Sequence, residues 1–388
     1  MFDKFCILSL TYRTNGFVTM LAPLRDHLRP KDPTSSLILG TIKDRYFSRL
    51  STRVHPDRPG FEESRWIVSE DVNVEQLLDV FTSVDANSGD VWDTCSRFMD
   101  HLYWHRPRLT MLGPRIEALP DDHPFKPQCL ENLSWLFYSV GNRVERKRIL
   151  THTLQLWRER GVDDQVALTL DHLSDANRTM GFLEEGIRQV KEASEIFEQL
   201  GNMVGQADCL TDLARALNDD KQLDAAEEAA SRAIDLLPEK GQQFLVCEAH
   251  RTLGAIYHSK GETKKAIHHF EKALGIASPL GAVIQLFWVH FALATLVSEE
   301  GRLNDAHAHV EQAKLHAVND AYSLARASWL QAKFWNEQHM FEKAKSEVLR
   351  AFDVFEKLGA TGDAKEAREL LEEIDRNARG DGLGSSHT

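Results

Sequence analysis

Six short segments recur along this chain in a register that leaves few folds open. They begin at Gly141, Gly181, Lys221, Gly261, Gly301 and His339, 40 residues apart four times and then 38. The flanks keep step. Eight residues before each start stand Leu133, Leu173, Leu213, Leu253, Leu293 and Gln331. Nine residues after stand Leu150, Val190, Ala230, Phe270, Val310 and Val348, and twelve after stand Thr153, Ala193, Ala233, Ala273, Ala313 and Ala351. Large apolar residues alternating with small ones at helical spacing describe two helices that approach closely across a turn. A fixed period of this length means stacked helical hairpins, each burying its apolar face on its neighbours. The turn glycines suit the left-handed backbone that ends a helix.

The segment Leu253, Gly254, Tyr257, Gly261, Ala266, Phe270 and Ala273 resembles the tetratricopeptide (TPR) pattern of leucine, glycine, tyrosine, glycine, alanine, phenylalanine and alanine. His250 stands where that pattern has tryptophan. A TPR unit is about 34 residues long, so the longer period here implies longer helices or loops. The resemblance implies an all-α chain, a TPR-like α-α superhelix running over residues 121–376 in about six hairpins.

Upstream the pattern changes. The apolar run from Phe5 to Leu10, then Asn15-Gly16, then Phe17 to Met20 reads as strand, hairpin turn and strand, with a helix over residues 21–28. That order resembles the end of a winged-helix unit; an ordinary capping element for the solenoid is the alternative for residues 1–28. Together with Ser9-Leu10, Met20-Leu21-Ala22-Pro23-Leu24-Arg25-Asp26-His27, Leu119-Pro120-Asp121-Asp122-His123-Pro124 and residues 224–237, it resembles the C-terminal part of fungal NB-ARC or NACHT-type STAND proteins. Those are signalling ATPases with repeat sensors. Their Met-His-Asp motif contacts the nucleotide. Here Met20 is followed by Leu21 and Ala22, so that role does not carry over. The domain reading is a winged-helix-like remnant and linker over 1–33, a helical region over 34–120, the array over 121–376 and a disordered tail over 377–388. In the helical region, Leu37 to Leu50, Val74 to Phe81 and Val91 to Tyr103 have helical periodicity.

Composition removes several classes of function. No run of 18 apolar residues occurs, which excludes a membrane-spanning helix, and the N-terminus lacks the apolar core of a signal peptide. The five cysteines are widely spaced with no CxxC pair, as expected of free thiols in the cytoplasm. Net charge is −13, of which residues 121–388 carry −12. An acidic array repels phosphate backbones, so no nucleic-acid partner is expected. There is no P-loop, no HExxH and no GxSxG, so a non-enzymatic chain without cofactors or metals is expected. If the chain is a STAND relative, it is the arm without the motor. His268 and His269 are adjacent and point apart on a helix. His309 and His316 share a face, but no third ligand completes a metal site.

The resemblance to TPR hairpins implies a concave face. It takes Asp171, Asp175 and Arg178, then Thr211, Arg215 and Asn218, then Arg251 and His258, then Trp288 and Phe291, then Trp329 and Lys333. Two readings of the arginines stay open. They bind a partner's carboxylates or carbonyls, or they pair with Asp171, Asp175, Asp208 and Asp212 and tie hairpins together. The aromatic residues are equally readable as core or as binding surface. The expected function is a scaffold for a protein or peptide partner, the sensor arm of a STAND-type protein or a truncated relative. Self-association as a structural module is the alternative, followed by an enzyme on a helical-repeat frame.

Overall fold

A computed structural model describes residues 11–14, 17–20, 71–84, 89–105, 108–237, 241–317 and 320–380. The first described element is an antiparallel hairpin of β1 (Thr11–Thr14) and β2 (Phe17–Met20), with Thr14 opposite Phe17 across Asn15-Gly16. The Asn-Gly signal therefore marks the turn between them; the first strand expected from the sequence is the Phe5–Leu10 run. That run, the helix expected over 21–28, residues 34–70 and the tail from 381 lie outside the described residues. The rest of the described chain is helical.

By packing, the chain divides into two units, Met1–Leu136 and Phe137–Thr388. The first holds α1 (Asp71–Val84), α2 (Gly89–His105), the short α3 (Gly113–Glu117) and the start of α4 (Lys126–Ser139). Its core is the apolar face anticipated from periodicity: Val74, Leu78 and Phe81 with Trp92, Cys95, Phe98, Met99 and Leu102. Asn132 donates to the Ser96 carbonyl over 2.7 Å, and Trp135 lies 5.2 Å from Tyr103 between ring centres.

The second unit is a solenoid. α5 (Arg143–Arg160) is followed by five packed helix pairs and a last helix. The pairs are α6 (Asp163–Thr179) with α7 (Leu183–Gln199), α8 (Met203–Asp219) with α9 (Leu223–Leu236), and α10 (Gln243–Ser259) with α11 (Thr263–Leu280). Then come α12 (Val283–Glu299) with α13 (Leu303–His316), α14 (Ala321–Glu337) with α15 (Phe341–Leu358), and α16 (Thr361–Ala378).

The register explains this packing. All six segment starts have positive φ, including Lys221 at 63° and His339 at 59°, where no glycine relieves the strain. Each such residue donates its N–H to a carbonyl three residues back, closing the helix. Ala226, Ala266, Ala306 and Ala344 are fully buried, as are Ala193, Ala233, Ala273 and Ala313. At these crossings a methyl group is all the space allows. Gly254 goes further, since a Cβ there would stand 2.6 Å from the Phe270 ring. One register position departs from small residues: Arg146, 1% exposed, which needs a buried acid.

Histidines pair in the same register. The Nδ1 atoms of His250 and His269 are 3.1 Å apart, and so are those of His290 and His309, with His316 stacked on His290. Among the described residues no group of three His, Cys, Asp or Glu side chains is placed to hold a metal ion. No described helix is long and apolar enough to cross a membrane.

The two ends of the solenoid meet. Gly141 lies against Tyr322 and Ala360, Gly359 against Asn142, and Gly362 against Arg143. At each of these glycines a Cβ would collide, at 2.4, 2.8 and 2.5 Å respectively. Asp363, fully buried, accepts Arg143 at 3.1 Å, Arg326 at 2.7 Å and the Tyr322 hydroxyl at 3.2 Å. The first and last helices of the unit are thereby pinned together.

Candidate functional site

The first helix of each pair supplies the residues assigned to the concave face. Asp171, Asp175 and Arg178 lie on α6; Thr211, Arg215 and Asn218 on α8; Arg251 and His258 on α10; Trp288 and Phe291 on α12; Trp329 and Lys333 on α14. Asp171, Asp175 and Thr211 are buried, Lys333 is exposed and the others are intermediate.

Charge dominates the first half of this face. Arg146 of α5 pairs with Asp175, which also holds Arg178 at 2.7 Å. Arg178 reaches across to Asp219 on α8, also at 2.7 Å. Arg215 holds Asp212 at 2.8 Å and reaches α10 through Glu248 at 3.0 Å and the Thr252 hydroxyl at 3.3 Å. Glu248 also takes Arg251 at 2.6 Å. Arg178 and Arg215 therefore bridge successive hairpins, the tie-rod reading. Arg251 stays on its own helix. His258 meets Glu299 of α12 at 2.5 Å.

The pairing polarises the carboxylates in opposite directions. Burial alone would push Asp175 up, but Arg146 and Arg178 hold it well below the ordinary carboxylate range. Burial pushes Asp171 well up, with Asp212 and Asp208 adding like-charge repulsion. The same two causes, burial and Asp212, raise Asp208 to about 7. Asp212 is raised by burial despite Arg215.

The second half is aromatic. Trp288 and Phe291 lie 5.8 Å apart between ring centres. The Arg326 guanidinium sits 5.4 Å from the Phe291 ring and 5.1 Å from Trp329, while pairing with Asp363. Tyr138 lies instead under Arg146 at 4.5 Å, and Trp335 lies beside His307 and Lys343.

Several buried polar atoms on the first helices lack a partner: Asp171 Oδ1, Asn218 Oδ1, Gln285 Oε1 and Trp329 Nε1. Native interiors rarely leave such atoms unmet without a reason. Reading by repeat position missed Arg146, Asp219, Glu248, Arg326 and Asp363. Arg146 was detectable as a charge at a position of the repeat that is glycine or alanine in the other hairpins; Arg326 was not, since its position holds Gln128, Leu168, Asp208, Glu248 and Trp288 elsewhere. Asp219, Glu248 and Asp363 were not, because their roles depend on how neighbouring hairpins are rotated.

Residues 245–314, covering α10 to α13, match the tetratricopeptide repeat family model. A search of curated protein sequences finds no match. The chain is similar in structure to a Rap protein complexed with Competence and Sporulation Factor, at 13% identity and a TM-score of 0.54, over 82% of this chain and 97% of that one. It is also similar to the Rap conjugation gene regulator of plasmid pLS20 in complex with the Phr* peptide, at 15% identity and a TM-score of 0.48, over 90% and 99% of the two chains. Aspartyl phosphate phosphatase F from Bacillus subtilis aligns at 13% identity and a TM-score of 0.46, over 84% and 94%. The described helices, the repeat match and the first of these likenesses together establish the fold as an all-α, TPR-like helical solenoid.

Proposed function

We propose that this chain is a non-catalytic interaction scaffold that takes an extended peptide segment of a protein partner on its concave face. The observation that carries the reading is the row of unmet buried polar atoms beside half-buried aromatic rings on the first helices, from Asp171 to Trp329. A bound backbone satisfies acceptors and donors alike, and tryptophan and arginine are the residue types that most often dominate interfaces. The seam at Asp363 favours a strand-like segment over a folded domain, because it ties the two ends of the concave surface together. The Rap structures with a similar fold hold Competence and Sporulation Factor in one case and the Phr* peptide in another, which agrees with a peptide ligand.

The test is selection of a linear peptide library on the full chain, followed by affinity and melting measurements on Trp288→Ala and Trp329→Ala. Peptides weakened at least tenfold by these changes support the reading. Peptides indifferent to both, or none selected, refute it. The N-terminal resemblance supports the finer reading of a sensor arm of a STAND-type protein or a truncated relative. On that reading the chain binds no ATP by itself, and saturable micromolar binding in calorimetry refutes it.

A further inference from the structure

Between α5 and α7, with α6 beneath them, lies a half-open cavity of about 340 Å³. That volume falls within the ~300–1,000 Å³ of small-ligand pockets. No residue assigned to the concave face lines it. Its floor is apolar, made by the buried Leu154, Leu170 and Leu173. One polar group interrupts that floor: Asn177, which is 1% exposed. Asn177 Nδ2 donates to Gln189 Oε1 at 2.7 Å, Gln189 Nε2 donates to Glu185 at 2.8 Å, and Glu185 takes Arg188 at 2.6 Å. Each bond fixes the orientation of the amide below it. Asn177 therefore presents Oδ1 as an acceptor, and that oxygen has no partner. A polar chain built from the rim to the floor thus ends on an unmet acceptor, which native interiors seldom leave without a reason. The rim adds charge. Arg158 of α5 and Glu192 of α7 bond across the groove at 2.7 Å and neutralise each other. Lys147, three turns before Arg158, lies 4.2 Å from the centre of the Phe182 ring and meets no carboxylate among the described residues. The lining holds three basic and two acidic side chains, a net +1, in a chain of net −13.

We infer that this cavity binds an apolar residue that carries a free carboxylate and an N–H, the chemistry shared by an N-acyl amino acid and the C-terminal residue of a peptide. The aliphatic side chain covers the three leucines, the N–H donates to Asn177 Oδ1, and the carboxylate meets the Lys147 ammonium. Other ligand classes fit worse. A basic ligand would face an ammonium that has no acid of its own. A purely apolar one would seal Oδ1 away without a donor, at the full cost of desolvating it. The site goes beyond the concave-face reading and does not depend on it, so its failure leaves the scaffold standing.

The test is calorimetry on the full chain with four probes. They are N-acetyl-L-leucine, the acetylated tripeptide Ala-Ala-Leu, its C-terminal amide, and its ester analogue in which oxygen replaces the leucine N–H. The expected result is saturable binding of the tripeptide acid, at least tenfold weaker for the amide and for the ester. Equal affinity for N-acetyl-L-leucine marks a free acyl amino acid as the source, and a tenfold preference for the tripeptide marks a peptide C-terminus. Thr151→Trp, which places a large ring at the mouth from an exposed position on α5, should abolish binding. Lys147→Gln should erase the preference for acid over amide. No saturable binding of either acid, equal affinity for acid and amide in the wild type, or full affinity in Thr151→Trp overturns the site. The amide and ester probes act on unaltered protein, so they decide the matter even if a variant fails to fold.

Discussion

Arg215→Ala separates the two roles open to the arginines of the concave face. Arg215 is about one-fifth exposed and spans two hairpins, with Asp212 at 2.8 Å on its own helix and Glu248 at 3.0 Å on the next. Glu248 keeps Arg251 at 2.6 Å after the change, so the loss falls mainly on Asp212, 13% exposed and facing other acids. Removing one partner of a buried pair costs about 3–5 kcal/mol, because the other charge stays behind without water. The partial exposure of Arg215 and the remaining Glu248–Arg251 pair put the expected cost at the low end, about 3 kcal/mol. For a unit of this size that is roughly 6–12 °C in melting temperature. Thermal unfolding followed by circular dichroism at pH 8 and pH 5 is the assay. The deficit should shrink as the pH falls, because burial raises Asp212 and loss of Arg215 removes the charge that opposes its protonation. A variant that melts within 2 °C of wild type at both values would show that Arg215 carries no tie, and would return it to the role of ligand contact.

Other consequences are as specific. A Cβ added at Gly261 meets no atom within 4 Å, so the cost of Gly261→Val should be chiefly backbone strain at φ 75°, about 1–2 kcal/mol. Ala266→Leu, at a fully buried crossing, should cost about 1–3 kcal/mol by overpacking. Wild-type melting from both would break the repeat register. Burial and a facing imidazole lower His250 and His290 to about 4, while unfolded histidines titrate near 6.5. A lowered pKa contributes stability above the unfolded value and loses it as pH falls, so the pairs should weaken the fold between about pH 6.5 and pH 4. Lys272 and His268 face His250, and Lys265 and Glu227 face its partner His269. On the second pair, His316 faces His290, and Asp305 and Arg302 face His309. The raised Asp171 and Asp208 act in the opposite sense, so the measurement is the difference between wild type and His250→Gln/His290→Gln. An identical pH profile for the two would refute it. Asp363→Asn should lower the melting point by several degrees and loosen the contact between α5 and α16, read by hydrogen exchange at their first turns. No change at either place would dismiss the seam.

The repeat was legible because its signals are local. A positive φ every 40 residues and a methyl-sized crossing appear in the sequence as a residue type at a fixed interval. The register was strong enough to place turns at Lys221 and His339, where the usual glycine is missing. The concave assignment was legible as a set of helical positions. Partners were not, since Arg178 meeting Asp219 and Arg215 meeting Glu248 depend on the rotation between hairpins. The seam was further out of reach. It joins Arg143 to Asp363 through the accumulated curvature of the whole array, and Gly141, Gly359 and Gly362 look in sequence like ordinary turn residues. Asn15-Gly16 marked the hairpin, whose described strands are Thr11–Thr14 and Phe17–Met20.

The most direct measurement of the central claim is hydrogen exchange of the chain with and without a selected concave-face peptide. The account predicts slowed exchange in the first helices of the pairs, α6, α8, α10, α12 and α14, with α7, α9, α11, α13 and α15 unchanged. Protection concentrated in those second helices, or confined to residues before α5, would contradict it.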